Sequence, residues 1–514
     1  MKDIPAGIKN LYYRGRLDAC NYTCSYCPFA KKKMGRQKLL ADQRAFEHFF
    51  ERVKNTPACV KILLIPYGEV LAHSFYRDGM IRLARLPNVE GIACQTNLSF
   101  DVEKFLKAIA AANAGVCAQT GKIKLWASFH PEILTTRKEG IQKFLDATHR
   151  LAQNGVELSV GAVALAKYRT PIADLRQRLD PRLYLFLNMP RGAARGDKTE
   201  ALSPEDRAFF HDIDPLFACD ERRTPADIAR CKGGRESLFI DADGRDYACP
   251  RSGIPLEDET PRCRRKTCDC YIAYSNLHPR VQAIMGDGAL WRIPQKRAIA
   301  ALFFDIDGTL TDAAGKVPPA YARSLAILAR QMPLFLATAL PLAYARMRLG
   351  ALFDLFSGGA FAAGAHVSWR TAQQTHHHFI PCPLLPDTLP IACRVSSYAN
   401  GRGEIFKYAL TTGSDADACR LQQYLHAQYT IFREGNLVTL VHREVDKATG
   451  VRRLCQNIHI DPKEIAVIGD SEHDLPMFSL TPYACAVPNA SGALKAIAWL
   501  ILTPDRLPAF FTGR

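Results

Sequence analysis

The sequence predicts an α/β protein with a partial (β/α)6 barrel in its first half and a doubly wound α/β domain in its second. Apolar β-type runs recur about every 30 residues from residue 9 to 190, which is the repeat of a strand followed by a helix. A second strand pattern, now followed by aspartates, begins at Ala298. The length of 514 residues, of which 48% are hydrophobic, allows two to four separate cores.

Six strands are predicted in the first half from short runs of β-branched, aromatic and aliphatic residues. They are Asn10–Arg14, Lys61–Ile65, Gly91–Gln95, Lys122–Phe129, Val156–Leu165 and Leu183–Leu187. In a barrel of parallel strands the working side chains lie at the carboxyl ends of the strands. We therefore expect functional residues just after each run.

The basic charge is concentrated in the first part of the chain. Residues 1–297 hold 48 Lys/Arg against 34 Asp/Glu, a net +14, and residues 298–514 hold 19 against 17, a net +2. A basic half fits an anionic small substrate, an acidic reductant such as flavodoxin or ferredoxin, or a nucleic acid, which is not favoured. It fits a solvated basic surface equally well.

Cysteine usage points to metal rather than to disulfides. The chain shows neither a secretory start segment nor an apolar run of the roughly 18 residues that span a membrane, so we expect a cytoplasmic protein with no membrane partner. Disulfides are disfavoured in that compartment, and clustered cysteines there indicate metal. Cys20, Cys24 and Cys27 form a C-x3-C-x2-C cluster just after the first predicted strand. Such a loop suits an iron–sulfur cluster, with a structural zinc as the alternative.

This cysteine loop resembles that of the radical S-adenosylmethionine (SAM) enzymes. The segment LYYRGRLDACNYTCSYCPFAKKK, with SFHPE further on, resembles a little-characterised family of standalone bacterial radical SAM proteins. The resemblance implies a [4Fe-4S] cluster on the three cysteines, with one iron left to chelate SAM, and a 5′-deoxyadenosyl radical that abstracts hydrogen from substrate. It also implies a set of SAM-binding residues, in which PYGE carries a tyrosine where the family has glycine. They are Tyr26, Gly68, Glu69, Asn97 and Ser128.

A second set of cysteines lies in residues 200–275, where the βα rhythm stops. Cys231 and Cys249 flank a predicted hairpin, and Cys263, Cys268 and Cys270 follow. This region resembles the SPASM or shorter twitch extension of radical SAM enzymes, which implies an auxiliary [4Fe-4S] cluster. The favoured ligands are Cys231, Cys249, Cys268 and Cys270, with Cys263 as the spare or substitute. A zinc ribbon is the alternative.

The second half carries acidic motifs at the ends of predicted strands. DIDGTLT places Asp305 and Asp307 after an apolar run, and AVIGDSEHD places Asp470 and Asp474 after another. Phosphoryl transfer through an aspartate needs a carboxylate nucleophile, an acid/base, Mg2+ and a cation. Thr338 of FLATALP and Lys447 of EVDKATG supply a hydroxyl and that cation.

In this order the motifs resemble the haloacid dehalogenase (HAD) phosphatases. The resemblance makes Asp305 the nucleophile, Asp307 the acid/base, Thr338 the phosphoryl ligand and Lys447 the group that steadies negative charge. Mg2+ is then held by Asp305, Asp307, Asp470 and Asp474, and Asn489 contacts the same loops. Two departures are the missing arginine after Thr338 and His473 in place of the usual asparagine. The long gap before Lys447 predicts a small α/β cap at about 370–440, as in the Cof-like (IIB) phosphatases.

Together these features predict a bifunctional enzyme. The predicted divisions are a radical SAM barrel at 1–199, the auxiliary-cluster region at 200–275, a connector at 276–297 and the phosphatase domain at 298–514. The first half would oxidise or rearrange a small metabolite, which need not be phosphorylated, and the second would hydrolyse a phosphate monoester. The alternative is radical modification of RNA or of a peptide with an accessory phosphatase.

Overall fold

The chain forms two compact units, Met1–Gln295 and Lys296–Arg514. The computed structural model describes residues 3–27, 29, 33–113, 120–190, 202–221, 224–225, 229–250, 255–256, 267–268, 279–285, 288–290 and 292–512. Among these residues, no helix is both long and apolar enough to cross a membrane.

The first unit is built on an eight-stranded sheet in the order β6-β5-β4-β3-β2-β1-β8-β9. Strands β1 to β6 are parallel and follow chain order, and β8 joins parallel to β1 on its other side. All six predicted strands are present, with ends within two residues of the prediction. The strands of this unit are β1 (Asn10–Arg14), β2 (Val60–Leu64), β3 (Val89–Thr96), β4 (Ile123–Ser128), β5 (Glu157–Val163), β6 (Tyr184–Asn188), β7 (Thr224–Pro225), β8 (Ser237–Asp241), β9 (Asp246–Tyr247) and β10 (Thr267–Cys268).

Helices pack against one face of this sheet because alternate strand residues point to it. Leu11 and Tyr13 of β1 join the main apolar core on that face, and the Tyr13 ring stacks on Phe49 with ring centroids 4.2 Å apart. A buried ion pair between Arg52 and Asp246, at 2.7 Å, adds a contact to β9. The helices are α1 (Arg36–Lys54), α2 (Ser74–Arg85), α3 (Val102–Asn113), α4 (Pro131–Leu134), α5 (Gly140–Gln153), α6 (Arg169–Arg178), α7 (Pro204–Ile213), α8 (Phe217–Glu221) and α9 (Pro279–Met285).

Residues 288–290 and 292–293 pack on the opposite, inner face of the sheet. A Cβ on Gly288, whose φ is +78°, would lie 1.9 Å from the side-chain oxygen of Asn10 at the start of β1. The Arg292 guanidinium lies 4.9 Å from the Trp126 ring and 4.4 Å from the Phe186 ring. The segment predicted to be part of a connector is therefore packed into the first unit.

The second unit contains a mixed sheet in the order β16-β15-β14-β13-β12-β21-β22-β23. Six strands of this sheet are parallel to one another, in the order β14-β13-β12-β21-β22-β23. Strands β15 and β16 extend the sheet beyond β14 and are antiparallel. The short pair β11 and β24 lies apart from this sheet. The strands are β11 (Arg297–Ala298), β12 (Ala301–Phe304), β13 (Leu334–Ala337), β14 (Gly358–Phe361), β15 (His366–Arg370), β16 (Thr375–Phe379), β17 (Cys393–Ala399), β18 (Ile405–Thr412), β19 (Tyr429–Glu434), β20 (Leu437–His442), β21 (Ile465–Gly469), β22 (Tyr483–Ala486), β23 (Leu500–Ile501) and β24 (Phe511–Thr512).

A separate four-stranded antiparallel sheet, here called the cap sheet, has the order β17-β18-β20-β19. One of its faces packs apolar residues of β18 and β20 against the helix 415–425. Residues 375–379, inside the range predicted for a cap, instead pair with β15 in the larger sheet. The helices of this unit are α10 (Pro319–Ala329), α11 (Leu342–Leu349), α12 (Asp415–Leu425), α13 (Lys447–Asn457), α14 (Leu475–Phe478) and α15 (Gly492–Ile497).

Candidate functional site

Three acidic side chains of the second unit converge at the carboxyl edge of its large sheet. Asp305 follows β12 and Asp470 follows the neighbouring β21, so parallel pairing brings both to the same edge. Asp305, Asp470 and Asp474 each offer an oxygen within 4.8 Å of the others. Oxygen ligands at this spacing suit Mg2+.

Lys447 joins two of these carboxylates. Its ammonium donates to Asp305 Oδ1 at 2.7 Å and to Asp474 Oδ1 at 2.6 Å. It is the first residue of α13, and Asp446 caps the helix by accepting from the Thr449 amide at 2.7 Å. Burial lowers the pKa of Lys447, but the two carboxylates outweigh burial and the net pKa is raised. Burial raises the pKa of Asp305, and the lysine opposes that shift.

The loops around these acids are held by main-chain hydrogen bonds. Asp474 Oδ2 accepts from the amides of Asp470 at 3.0 Å and Ser471 at 3.1 Å. Gly308 has a φ of +79°, and a Cβ there would lie 2.2 Å from an Asp470 oxygen, so only glycine permits this approach. Asn489 donates to the Gly308 carbonyl at 2.9 Å, the loop contact expected from the sequence.

The side chains of Thr338 and Asp307 differ in their burial and in their partners. Thr338, only 1% exposed, follows β13 next to β12, and its hydroxyl accepts from the Leu340 amide at 3.1 Å. The Asp307 side chain is 47% exposed and pairs with Arg348 at 3.2 Å. The structure thus gathers Asp305, Lys447 and the two later acids, while the Asp307 carboxylate pairs with a cation that no sequence motif marked.

The first cysteine cluster lies after β1, beside the loop that follows β2. The Glu69 amide donates to the Ala19 carbonyl at 3.1 Å. A Cβ on Gly68 would lie 1.9 Å from that same carbonyl oxygen. Glycine at 68 is therefore required for the PYGE loop to approach the residue before Cys20.

A histidine connects the cysteine loop to the end of β4. His130 Nδ1 lies 3.3 Å from Cys24 Sγ and 2.7 Å from the Tyr26 hydroxyl. Burial raises the pKa of the Cys24 thiol to about 11 and that of Cys20 in the same direction, and the Cys27 thiol adds to both shifts. Sequence reasoning left His130 open between a substrate-facing and a structural role, and its position beside the cysteines was not foreseen.

The predicted SAM-binding residues lie at the carboxyl edge of the first unit's sheet. Glu69, 4% exposed, accepts from the Thr96 hydroxyl and the Asn97 amide, each at 2.6 Å. Burial raises its pKa to about 7. The Asn97 amide group lies 3.8 Å from Cys20 Sγ, and the Ser128 hydroxyl accepts from Gln95 at 2.9 Å.

The second set of cysteines is only partly described. Cys231 Sγ accepts from the Gly233 amide at 3.4 Å. A Cβ on Gly233 would lie 2.6 Å from the carbonyl of Ala248, the residue before Cys249. Cys268 pairs with Thr224 in the two-stranded sheet of β7 and β10. Cys263 and Cys270 lie outside the described residues.

Comparisons with known proteins give the following similarities. A family model described as haloacid dehalogenase-like hydrolase matches residues 399–505. A phosphoglycolate phosphatase of Methanothrix thermoacetophila is 29% identical over 203 residues, which are 39% of this chain and 88% of that protein. A phosphoglycolate phosphatase of Thermoplasma acidophilum is 37% identical over 70 residues, 14% of this chain and 31% of that protein. A solved haloacid dehalogenase-like hydrolase from Bacteroides thetaiotaomicron is 18% identical, with a TM-score of 0.34 over 39% of this chain and 92% of that one.

Proposed function

We propose that the second unit, which carries a haloacid dehalogenase-like hydrolase domain, is a Mg2+-dependent phosphatase of small phosphate monoesters. The observation that carries the proposal is the buried Lys447 ammonium bridging Asp305 and Asp474. A carboxylate held by a cation and surrounded by further acids is the arrangement that an attack on phosphorus needs.

In the proposed reaction Asp305 Oδ attacks the phosphorus and the ester oxygen leaves with a proton from Asp307. Water then hydrolyses the aspartyl-phosphate, with Asp307 as the base. Thr338 and Lys447 hold the phosphoryl oxygens. Asp305, Asp470 and the Asp307 main-chain carbonyl would hold Mg2+, with Asp474 acting through hydrogen bonds, and the bound ion would supply charge neutralisation at the phosphoryl group. The exposed ion pair of Asp307 with Arg348 is weak enough for that side chain to turn toward substrate.

For the substrate we propose a small phosphorylated carboxylic acid. Two sequence relatives are phosphoglycolate phosphatases, which makes phosphoglycolate the first compound to test. A cap sheet beside the catalytic edge favours small molecules over proteins.

The test is phosphate release by the full chain with Mg2+, using p-nitrophenyl phosphate and phosphoglycolate. Asp305→Asn should abolish turnover because an amide does not attack phosphorus. Asp312→Asn, in an exposed loop of the same unit, is the matched control and should keep wild-type rates. Wild-type turnover by Asp305→Asn would contradict the assigned nucleophile.

For the first unit we propose a radical SAM function, with Cys20, Cys24 and Cys27 holding a [4Fe-4S] cluster. Six parallel strands in chain order support it, as does the contact between Gly68 and the cysteine loop.

The residues around the cysteine loop would bind and shield SAM. Glu69, Asn97 and Ser128 would form hydrogen bonds with SAM, and Tyr26 would cover one side of the bound SAM. A bound cluster with SAM supplies one-electron chemistry, for which a flavodoxin or ferredoxin would be the reductant. Cys231, Cys249 and Cys268, with Cys270 or Cys263, would hold an auxiliary [4Fe-4S] cluster.

Iron and sulfide content after anaerobic reconstitution tests both clusters. We expect about eight irons per chain, with loss of about half in Cys20→Ala and no loss in Cys59→Ala, which removes an exposed cysteine. Dithionite and SAM should give 5′-deoxyadenosine with the wild type and none with Cys20→Ala. Stoichiometric zinc in place of iron would overturn this reading. Modification of RNA or of a peptide is the alternative use of the same chemistry.

A further inference from the structure

A buried lysine of the cap sheet reaches the phosphoryl-binding loop. Lys407 lies on β18 and is 6% exposed. Its ammonium donates to the Ala339 carbonyl at 2.7 Å. Ala339 directly follows Thr338, the residue proposed to hold the phosphoryl group, so Lys407 ends one residue from that site.

Strand alternation sets the direction in which Lys407 points. Its neighbours Tyr408 and Leu410 pack on the face covered by α12, so Lys407 lies on the opposite face. Tyr398 is its cross-strand partner, and the ammonium lies 5.6 Å from that ring.

The same face of the cap sheet makes a second contact with the catalytic loops. Ala409, two residues beyond Lys407, pairs with Thr439, which in turn pairs with Phe432. The Phe432 ring lies 5.2 Å from the His473 ring, and His473 directly precedes Asp474. The Lys407 face therefore meets the loops carrying Thr338 and Asp474.

The Lys407 ammonium forms no ion pair with a carboxylate of the described residues. In the described part of the chain no carboxylate oxygen lies within 4.0 Å of its ammonium, and a carbonyl occupies one of its three donors. Burial lowers its pKa to about 8, opposed by Glu434, so the cation persists at neutral pH. A buried charge is costly unless it is paired, so an anion from outside the chain would stabilise this ammonium.

We propose that Lys407 binds the carboxylate of a phosphorylated carboxylic acid whose phosphate is held by Asp305 and Thr338. The proposal rests on the phosphatase function above and names the residue that selects the substrate class. It would make Lys407 a specificity residue and not a part of the phosphoryl-transfer machinery.

The experiment compares two substrates of equal length in the full chain. Phosphoglycolate carries the carboxylate, and 2-hydroxyethyl phosphate replaces it with an alcohol. Lys407→Met should raise KM for phosphoglycolate about 10-fold or more, because a charge-assisted hydrogen bond is lost, and should leave the kinetics with 2-hydroxyethyl phosphate close to those of wild type. Lys407→Gln keeps a donor for the Ala339 carbonyl but loses the charge, and should behave like Lys407→Met. Lys463→Met, at an exposed position, is the control.

The outcomes separate this proposal from the one on which it rests. An equal rise of KM with both substrates would mean that Lys407 only stabilises the contact between the cap sheet and the loop after Thr338. An unchanged ratio of activity on the two substrates would mean that Lys407 does not select between them. Either result overturns the proposal and leaves the phosphatase function standing. If the wild type hydrolyses neither substrate nor p-nitrophenyl phosphate, both proposals fall.

Discussion

Replacing Lys447 by methionine should destabilise the second unit in a way that depends on pH. The change leaves the carboxylates of Asp305 and Asp474 buried, at 5% and 0% exposure, without the cation between them. Their oxygens lie within 4.8 Å, so two full charges would repel by about 3.5 kcal/mol at an effective dielectric constant of 20. Removal of one partner from a buried ion pair costs about 3–5 kcal/mol. The charge repulsion and the broken ion pair therefore both predict that the unfolding free energy falls by about 3–5 kcal/mol at pH 8 in the absence of Mg2+.

The loss should shrink as the pH falls. Burial raises the pKa of Asp305 and Lys447 opposes that rise, so without the lysine the Asp305 carboxyl binds a proton more readily in the folded chain than in the unfolded one. Stability from such groups is fully present below the unfolded pKa and is lost as the pH rises through the folded pKa. The deficit of Lys447→Met relative to wild type should therefore be smaller at pH 5 than at pH 8.

Hydrogen exchange by mass spectrometry on the full chain in EDTA reads this deficit from peptides of β12 and α13. Lys447→Arg keeps a cation and should lose less, and Lys463→Met should match wild type. Mg2+ should restore Lys447→Met more than it stabilises wild type, because the ion replaces the missing charge. A deficit that is the same at pH 5 and pH 8, or no deficit, would refute the reasoning.

Three other predictions concern single contacts. Arg52→Met leaves Asp246 buried without its bidentate partner and should lower the unfolding free energy of the first unit by about 3–5 kcal/mol in urea titrations, most of which Arg52→Met/Asp246→Leu should recover. Gly68→Ala places a methyl group against the Ala19 carbonyl and should reduce the iron bound per chain after reconstitution. An unchanged iron content would show that the loop at Gly68 can shift without loss of the cluster. Burial lowers the pKa of His366 to about 3, so wild-type unfolding free energy should fall by up to about 1.4 kcal/mol per pH unit below pH 6.5. His366→Phe should lack that slope, and parallel pH profiles of the two proteins would contradict the assignment.

The sequence was sufficient to predict those features that the local residue pattern and the geometry of parallel strands determine. The convergence of Asp305 with Asp470 follows from two apolar runs that end in acids, because neighbouring parallel strands present such ends at one edge. The six strands predicted for residues 10–187 lie within two residues of their predicted ends because their local patterns are clear, whereas the bounds of the later short strands of this unit were not predicted.

It was insufficient where a contact joins residues far apart in the chain. Lys407 lies 68 residues from Ala339 and His130 lies 106 residues from Cys24, and no spacing in the sequence links either pair. The position of Asp307 depends on Arg348, a residue on a helix that carries no motif. Residues 375–379 have a polar composition that suits a cap or an edge strand equally, and pairing with β15 makes them an edge strand.

The packing of Gly288 and Arg292 on the first sheet limits how the two halves can be separated. Because Gly288 and Arg292 close the inner face of the first sheet, a fragment ending near residue 275 would lose that closure and expose Trp126 and Phe186 to water. Such a fragment would aggregate or bind apolar surfaces, and a failure to take up iron would then say nothing about the cysteines. A cut after Gln295 keeps the closure with the unit to which it belongs, and limited proteolysis of the full chain can establish whether the junction is accessible.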